Sequence, residues 1–269
     1  MTHRLLVATV LAAGILGLTI RQTIPRSFLL YAQEKSVKPG INDAFKNPDI
    51  NKYLKTFEGE SREIYQQRHK IVAACALRPG MVVADVGAGT GLFTRLFAQQ
   101  VGPEGKVFAV DISEKFLEHI DQTCRQAGLT NVVTVRGSDV SPNLPPESID
   151  LAFICDTYHH FEYPFRMMTA LHQALKPQGR VVLIDFHCIP GQSSEWVLGH
   201  VRAGQEVFEK EILSCGFRKV REEKELGLKE NYCVIFEKAV PERDRPSPTS
   251  EARGVQSDQA RQVQASETA

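Results

Sequence analysis

The chain has 269 residues, 42% hydrophobic and 24% charged, with 32 basic residues against 32 acidic ones. That length supports one substantial core, and the balanced charge gives no electrostatic reason to expect a nucleic-acid partner. The six cysteines are scattered with no CxxC spacing, which argues for buried free thiols over a disulfide framework or a zinc site.

Residues 5–20, "LLVATVLAAGILGLTI", carry no charge. The segment is long for the apolar stretch of a signal peptide and short for a membrane span. Arg21, Arg26, Lys35 and Lys38 follow it and only Arg4 precedes it, so an uncleaved span would keep the rest of the chain in the cytoplasm. Cleavage after Ala32 would instead export the domain, and a mis-assigned start would remove the segment. Residues 1–38 are therefore read as an anchor or signal with a linker, residues 39–240 as one domain, and residues 241–269 as a tail. The tail lacks aromatics and is rich in Ser, Gln, Glu, Arg and Pro, so disorder is expected.

Within the domain, residues 39–55 read as an irregular lead-in. "SREIYQQRHKIVAACAL" then has helical spacing of Ile64, Ile71, Val72, Cys75 and Ala76, with Ser61 as N-cap. "MVVADV" is a strand, residues 92–101 a helix, and "KVFAV" a strand closed by Asp111. "SEKFLEHIDQTCRQAG" starts at a Ser cap and stops at Gly. "NVVTVRG" and "SIDLAFICD" are strands. "PFRMMTALHQALKPQG" is a helix, "RVVLIDF" a strand and "GQEVFEKEILSCGF" a helix. "FRKVREEKE" and "NYCVIFEK" close the domain as paired strands. Alternation of this kind predicts an α/β, doubly wound, mostly parallel seven-stranded sheet with an antiparallel edge hairpin. Ligands of such sheets bind at the carboxyl ends of the strands.

The turn in "ADVGAGTGLFTRLF" carries Gly87, Gly89 and Gly91 between a strand and a helix, where backbone N–H groups can approach a ligand closely. Asp111, twenty residues beyond Gly91, is placed for a ribose hydroxyl pair. The dinucleotide fingerprint is GxGxxG, but here the third glycine comes one residue early and Leu92 holds its place. Asp85 adds negative charge where a pyrophosphate wants none. A ribose plus a cationic amino-acid end describes S-adenosylmethionine.

In order and spacing, "VVADVGAGTGLFTRLFA", "VFAVDIS", "GSDV", "IDLAFICDTYHHF" and "LKPQGRVVLIDF" resemble the class I S-adenosylmethionine-dependent methyltransferases, over about residues 64–238. The resemblance is to the small-molecule branch that includes the ubiquinone/menaquinone C-methyltransferases. It implies that Asp85, Gly87, Ala88, Gly89 and Gly91 hold the methionine part and that Asp111 binds the ribose hydroxyls. Ile112 would pack on adenine, Asp139 would accept from its amino group beside Val140, and Cys155 and Asp156 would line the methyl side.

Methyl transfer is an in-line displacement in which the protein positions and desolvates two reactants, with a base where the acceptor must lose a proton. "DTYHHFEYP" offers Asp156, Tyr158, His159 and His160, with His159 or His160 as base or orienter. An equally open reading makes the His pair structural. Tyr158, His187, His200 and Arg202 are the candidate acceptor contacts, and Tyr65 and Arg68 are candidates to close over the cofactor. No HxxxH or CxxC spacing supports a metal. "DTYH" disfavours methylation of exocyclic amines, and the cysteines do not match the arsenite-methylating branch. The expected function is methyl transfer to a small, lipophilic molecule. A non-catalytic S-adenosylmethionine-binding protein is the alternative, and an NAD-dependent oxidoreductase is disfavoured by GxGxG and the closing hairpin.

Overall fold

A computed structural model describes residues 33–239; the apolar segment at 5–20 and the tail at 241–269 lie outside the described residues. Among those described, no helix is long and apolar enough to cross a membrane. Seven strands form one sheet: β1 (Val82–Val86), β2 (Lys106–Asp111), β3 (Val132–Arg136), β4 (Ile149–Cys155), β5 (Leu175–Phe186), β6 (Phe217–Glu222) and β7 (Asn231–Lys238), in the order β3-β2-β1-β4-β5-β7-β6. β1 to β5 run parallel, and β7 lies antiparallel between β5 and the edge strand β6. Arg218, Lys219 and Arg221, with a register shift between the last two, keep that edge from recruiting another strand.

The helices are α1 (Ile50–Phe57), α2 (Glu63–Gln66), α3 (Arg68–Ala74), α4 (Leu92–Val101), α5 (Glu114–Gln126), α6 (Pro164–Ala174), α7 (Glu195–His200) and α8 (Gln205–Ser214). Alternate strand residues feed two apolar layers. Ala84, Val86, Ala152 and Ile154 meet Met168 and Leu171 of α6 and Phe208 and Ile212 of α8. Val83, Leu151 and Phe153 meet Ile71 of α3 and Phe93 and Phe97 of α4. This is the doubly wound, mostly parallel sheet with an antiparallel edge hairpin that the alternation predicts. The order reverses between β2-β1 and β4, so the crevice opens at the carboxyl ends of β1 and β4, where the glycine turn and Asp156 lie.

Three local expectations are corrected. The lead-in is not wholly irregular: Asp49 caps α1, its carboxylate accepting the N–H groups of Asn51 (3.0 Å) and Lys52 (3.3 Å). The helix expected from Ser61 is two short helices, and its cap position is Arg62. Tertiary contacts override the local pattern there. Arg62 turns inward to Asp156, and the Glu63 carboxylate accepts the N–H groups of Lys229, Glu230 and Asn231 at 2.7–3.0 Å. Finally, β5 begins at Leu175, directly after α6, and pairs with Ile149 before the register shifts. α7, capped by Ser194, has no counterpart in the sequence reading.

Packing also reaches upstream of residue 39. Val37 N–H donates to Glu162 O (2.9 Å), Phe165 N–H donates to the Gln33 side chain (3.2 Å), and Lys38 donates to the carbonyls of Gly199 and His200. All six cysteines are free, four of them buried.

Candidate active site

β1 is apolar up to Asp85, which is buried at 4% exposure with its carboxylate accepting from Thr94 Oγ1 at 2.6 Å. Burial pushes the Asp85 carboxyl up to about 7, against the Thr94 hydrogen bond. The chain then turns. Gly87 has φ +75°, and a Cβ there would lie 2.3 Å from the Thr157 methyl. Gly91 has φ +79° and starts α4, and a Cβ there would lie 2.8 Å from Ile120. Gly91 therefore faces α5 rather than the crevice, and its requirement for glycine is one of helix packing. Gly89 N–H points at Asp111 and donates to Oδ2 at 2.9 Å, while Ser113 N–H donates to Oδ1 at 2.8 Å. Burial raises the Asp111 carboxyl to about 6 despite these donors. Each oxygen keeps a free lone pair, so the group can still accept a pair of hydroxyls.

Two adjoining hollows share Phe57, Gly87, Gly89, Asp156 and Thr157. The smaller, about 490 Å³, is lined by Asp85, Ala88, Thr90, Cys155 and Arg62. The larger, about 710 Å³, runs past Asp111, Ile112, Phe116 and Asp139 to Phe45, His160 and Met167. One end thus carries the buried Asp85 and the Arg62–Asp156 ion pair, and the middle carries Asp111 with its free acceptor capacity. The far end is an aromatic wall in which Phe45 meets His160 edge-on at 5.0 Å. These features fit S-adenosylmethionine: a turn in which an added Cβ would clash, an acid with free acceptor capacity and a second acid for the ammonium end.

The roof comes from elements that the sequence reading undervalued. The Phe57 ring lies over Gly89, and Arg62 sits 5.2 Å from its centroid. Arg62 pairs with Asp156, and Arg95 holds Glu58 through both carboxylate oxygens at 2.9 Å. Tyr65 and Arg68, candidates to close over the cofactor, stack on each other at 4.0 Å and line neither hollow. Thr157, Phe57 and Arg62, with Phe45, Phe116 and Met167 of the larger hollow, are among the lining residues that sequence missed. The Asp49 cap and the helical spacing of Ile50, Tyr53, Leu54 and Phe57 were the available signals for α1.

Past β4, Asp156 sits at φ +48°, a left-handed conformation held by Arg62 and Asn231. His159 is buried, its Nδ1 2.7 Å from Asp185 Oδ1, and its backbone N–H donates to the same carboxylate at 3.1 Å. His160 lines the larger hollow, and burial lowers it to about 2, so the ring is neutral at working pH. A neutral ring of that kind can orient an acceptor but is a poor resting base. Burial likewise lowers His200, whose Nε2 lies 3.3 Å from His160 Nε2. Burial pushes the Cys155 thiol up, so it lines the site as a thiol and not as a thiolate.

Three further candidates fall away from the hollows. Tyr158 is fully buried, donating to Glu211 at 3.1 Å. Arg202 is locked on the same Glu211 by bonds of 2.9 and 2.6 Å and stacks on Phe208. His187 packs against Tyr232 at 5.5 Å. These three are core and edge contacts. Val140 follows Asp139 in the strand-three loop without lining either hollow.

The comparisons agree with this geometry. A family described as "Methyltransferase domain" matches residues 84–183. The ubiquinone/menaquinone biosynthesis C-methyltransferase UbiE of Bordetella parapertussis is 29% identical over 115 residues, covering 43% of this chain and 44% of that protein. The chain thus spans less than half the length of the curated relatives it matches. A S-adenosylmethionine-dependent methyltransferase structure from Aquifex aeolicus aligns with TM-score 0.63 and 24% identity, over 72% of this chain and all of that one. The [4+2]-cyclase SpnF aligns with TM-score 0.56 and 17% identity, over 65% of this chain and 81% of that one. Residues 84–183 match the methyltransferase-domain family, the sequence is similar to the ubiquinone/menaquinone C-methyltransferases, and the fold is shared with a S-adenosylmethionine-dependent methyltransferase structure.

Proposed function

We propose that this protein transfers a methyl group from S-adenosylmethionine to a small, lipophilic acceptor. The observation that carries the reading is the continuity of the two hollows from the glycine turn and Asp111 to the aromatic wall at Phe45 and His160. When bound, S-adenosylmethionine supplies an electrophilic methyl group on a sulfonium. The chain's own residues do the rest. Asp85 and the backbone at Gly87–Gly89 receive the amino-acid end, with Arg62 for its carboxylate. Asp111 takes the ribose hydroxyls, Ile112 and Phe116 flank the adenine, and Asp139 accepts from its amino group. Asp156 and Thr157 separate the methyl side from bulk water, and His160 orients the acceptor through a neutral nitrogen. Lipophilicity is supported by the apolar, aromatic character of the far wall and by the similarity to quinone methylases.

Calorimetric titration of S-adenosylmethionine into the protein tests the cofactor. Micromolar binding, weakened at least tenfold in Asp111→Asn, is expected; no binding by folded protein overturns the reading. Quinol-like phenols are the first acceptors to assay.

The likeness to a [4+2]-cyclase shows that this fold also appears under another name, and the low basicity of His160 favours a second reading in which the cofactor is bound without turnover. Binding without methyl transfer to any acceptor tested would support it. For a protein that uses S-adenosylmethionine, we place the domain on the cytoplasmic side, with residues 5–20 as an anchor and residues 241–269 as a tail. A phosphatase reporter fused after Val240, active only outside the cytoplasm, should stay silent.

A further inference from the structure

We propose that His159, His160 and His200 form a binding site for one divalent transition-metal ion of the zinc class, in the wall of the larger hollow. The residues come from two places that only the fold unites: the turn Tyr158–His160 after β4, and the last residue of α7. One ring nitrogen from each lies within 4.8 Å of the other two. His160 Nε2 and His200 Nε2 are 3.3 Å apart. A tetrahedral ion with metal–nitrogen bonds of about 2.0–2.1 Å sets its ligand nitrogens roughly 3.3–3.4 Å apart, so two of the three donors already have the required spacing.

The surroundings match a metal site as well. His159 Nδ1 is 2.7 Å from Asp185 Oδ1, and Asp185 is fully buried. A carboxylate behind a histidine holds the proton on that nitrogen and leaves the lone pair on Nε2, the arrangement that orients metal-binding imidazoles. The Trp196 ring stacks on His200 at 4.6 Å and 17°, which fixes the plane of the third ligand. His160 Nε2, the nitrogen that faces His200 Nε2, has no other polar partner among the described residues, so nothing else competes for its lone pair. The nearby Lys38 ammonium is turned onto the carbonyls of Gly199 and His200 rather than into the cluster. An all-imidazole set suits zinc, cobalt, nickel or copper better than magnesium or calcium. Three protein donors leave a tetrahedral ion one open position, as in sites that bind a substrate oxygen or water. Because His160 lines the larger hollow, that position would serve an acceptor hydroxyl and lower its pKa, a role that rests on the methyl-transfer reading.

The test uses the full chain without a tag, dialysed against chelator, with neither cofactor nor acceptor present, so its result stands whether or not S-adenosylmethionine binds. Cobalt(II) is titrated and its visible spectrum recorded, followed by displacement with zinc(II). The expected result is one cobalt per chain with the intense bands of tetrahedral coordination, and displacement by zinc. His160→Gln and His200→Gln should each weaken binding at least tenfold, while the exposed His69→Gln leaves it unchanged. Melting curves check that the variants fold, and His200, which is only half-buried, is the safer of the two. Absence of stoichiometric binding in folded wild-type protein overturns the proposal. So does cobalt binding that folded His160→Gln and His200→Gln leave intact.

Discussion

Gly87 and Asp111 show how single residues set this site. At Gly87 the backbone is left-handed, and Thr157 occupies the space a Cβ would need. Gly87→Ala should therefore cost about 1–2 kcal/mol from the conformation alone, and more from the clash. For a domain of this size that lowers the melting temperature by several degrees. Thr157→Gly in the same chain should recover part of the loss, which thermal denaturation of the three variants checks. Asp111 makes a pH prediction. Its carboxyl is raised from 3.8 to about 6, so the native apo protein holds a proton that the unfolded chain has already released. The stability tied to that proton is full below about pH 4 and is lost as pH rises through about 6. Cofactor binding runs the other way, because ribose hydroxyls donate to the ionised form. Affinity for S-adenosylmethionine should climb up to tenfold per unit towards pH 6. Asp85, raised to about 7, extends the rise. Calorimetry from pH 5 to 8 should show the slope, and Asp111→Asn should remove its lower part.

At the scale of elements, helix α8 is tied to the turn after β4 by one buried cluster. Glu211 accepts from Tyr158 and from both arms of Arg202, whose side chain is 8% exposed. Glu211→Gln leaves the guanidinium buried without a counter-charge and should destabilise the fold by about 3–5 kcal/mol, measured by urea unfolding. Arg202 and Tyr158 are read from sequence as acceptor contacts because they flank the expected site. Their partner lies fifty-three residues from Tyr158 along the chain, and no local pattern announces it. Helix α1 is the complementary case. It covers the glycine turn with Phe57, so Phe57→Ala should weaken cofactor binding several-fold while melting changes little, since Phe57 is only half-buried.

Across the whole molecule, the segment from Gln33 to Lys38 straps the lead-in to the loop after β4 and to the end of α7. A fragment of residues 33–239 should melt in a single transition. One starting at residue 39 loses several hydrogen bonds, each worth about 0.5–1.5 kcal/mol, and should melt a few degrees lower. The same strap holds the backbone of His200, so the shorter fragment should also bind its ligands more weakly.

The sequence by itself determined the sheet, its winding and the glycine turn, and it singled out Asp85 and Asp111, which the structure buries beside that turn. Those features follow from apolar runs of strand length, from caps and stops, and from backbone conformations that only a few residue types adopt. Each is a local property, and each is legible within a window of about twenty residues. Tertiary structure alone decided what faces what. Gly91 serves helix packing and Arg202 serves Glu211, while Arg62, at the cap of its helix, turns inward to Asp156 ninety-four residues away. His159, His160 and His200 share no ligand spacing in sequence, yet their nitrogens converge because β4 and α7 end at the same rim. Such pairings depend on chain crossovers and on burial energies summed over the whole core, which no local pattern records.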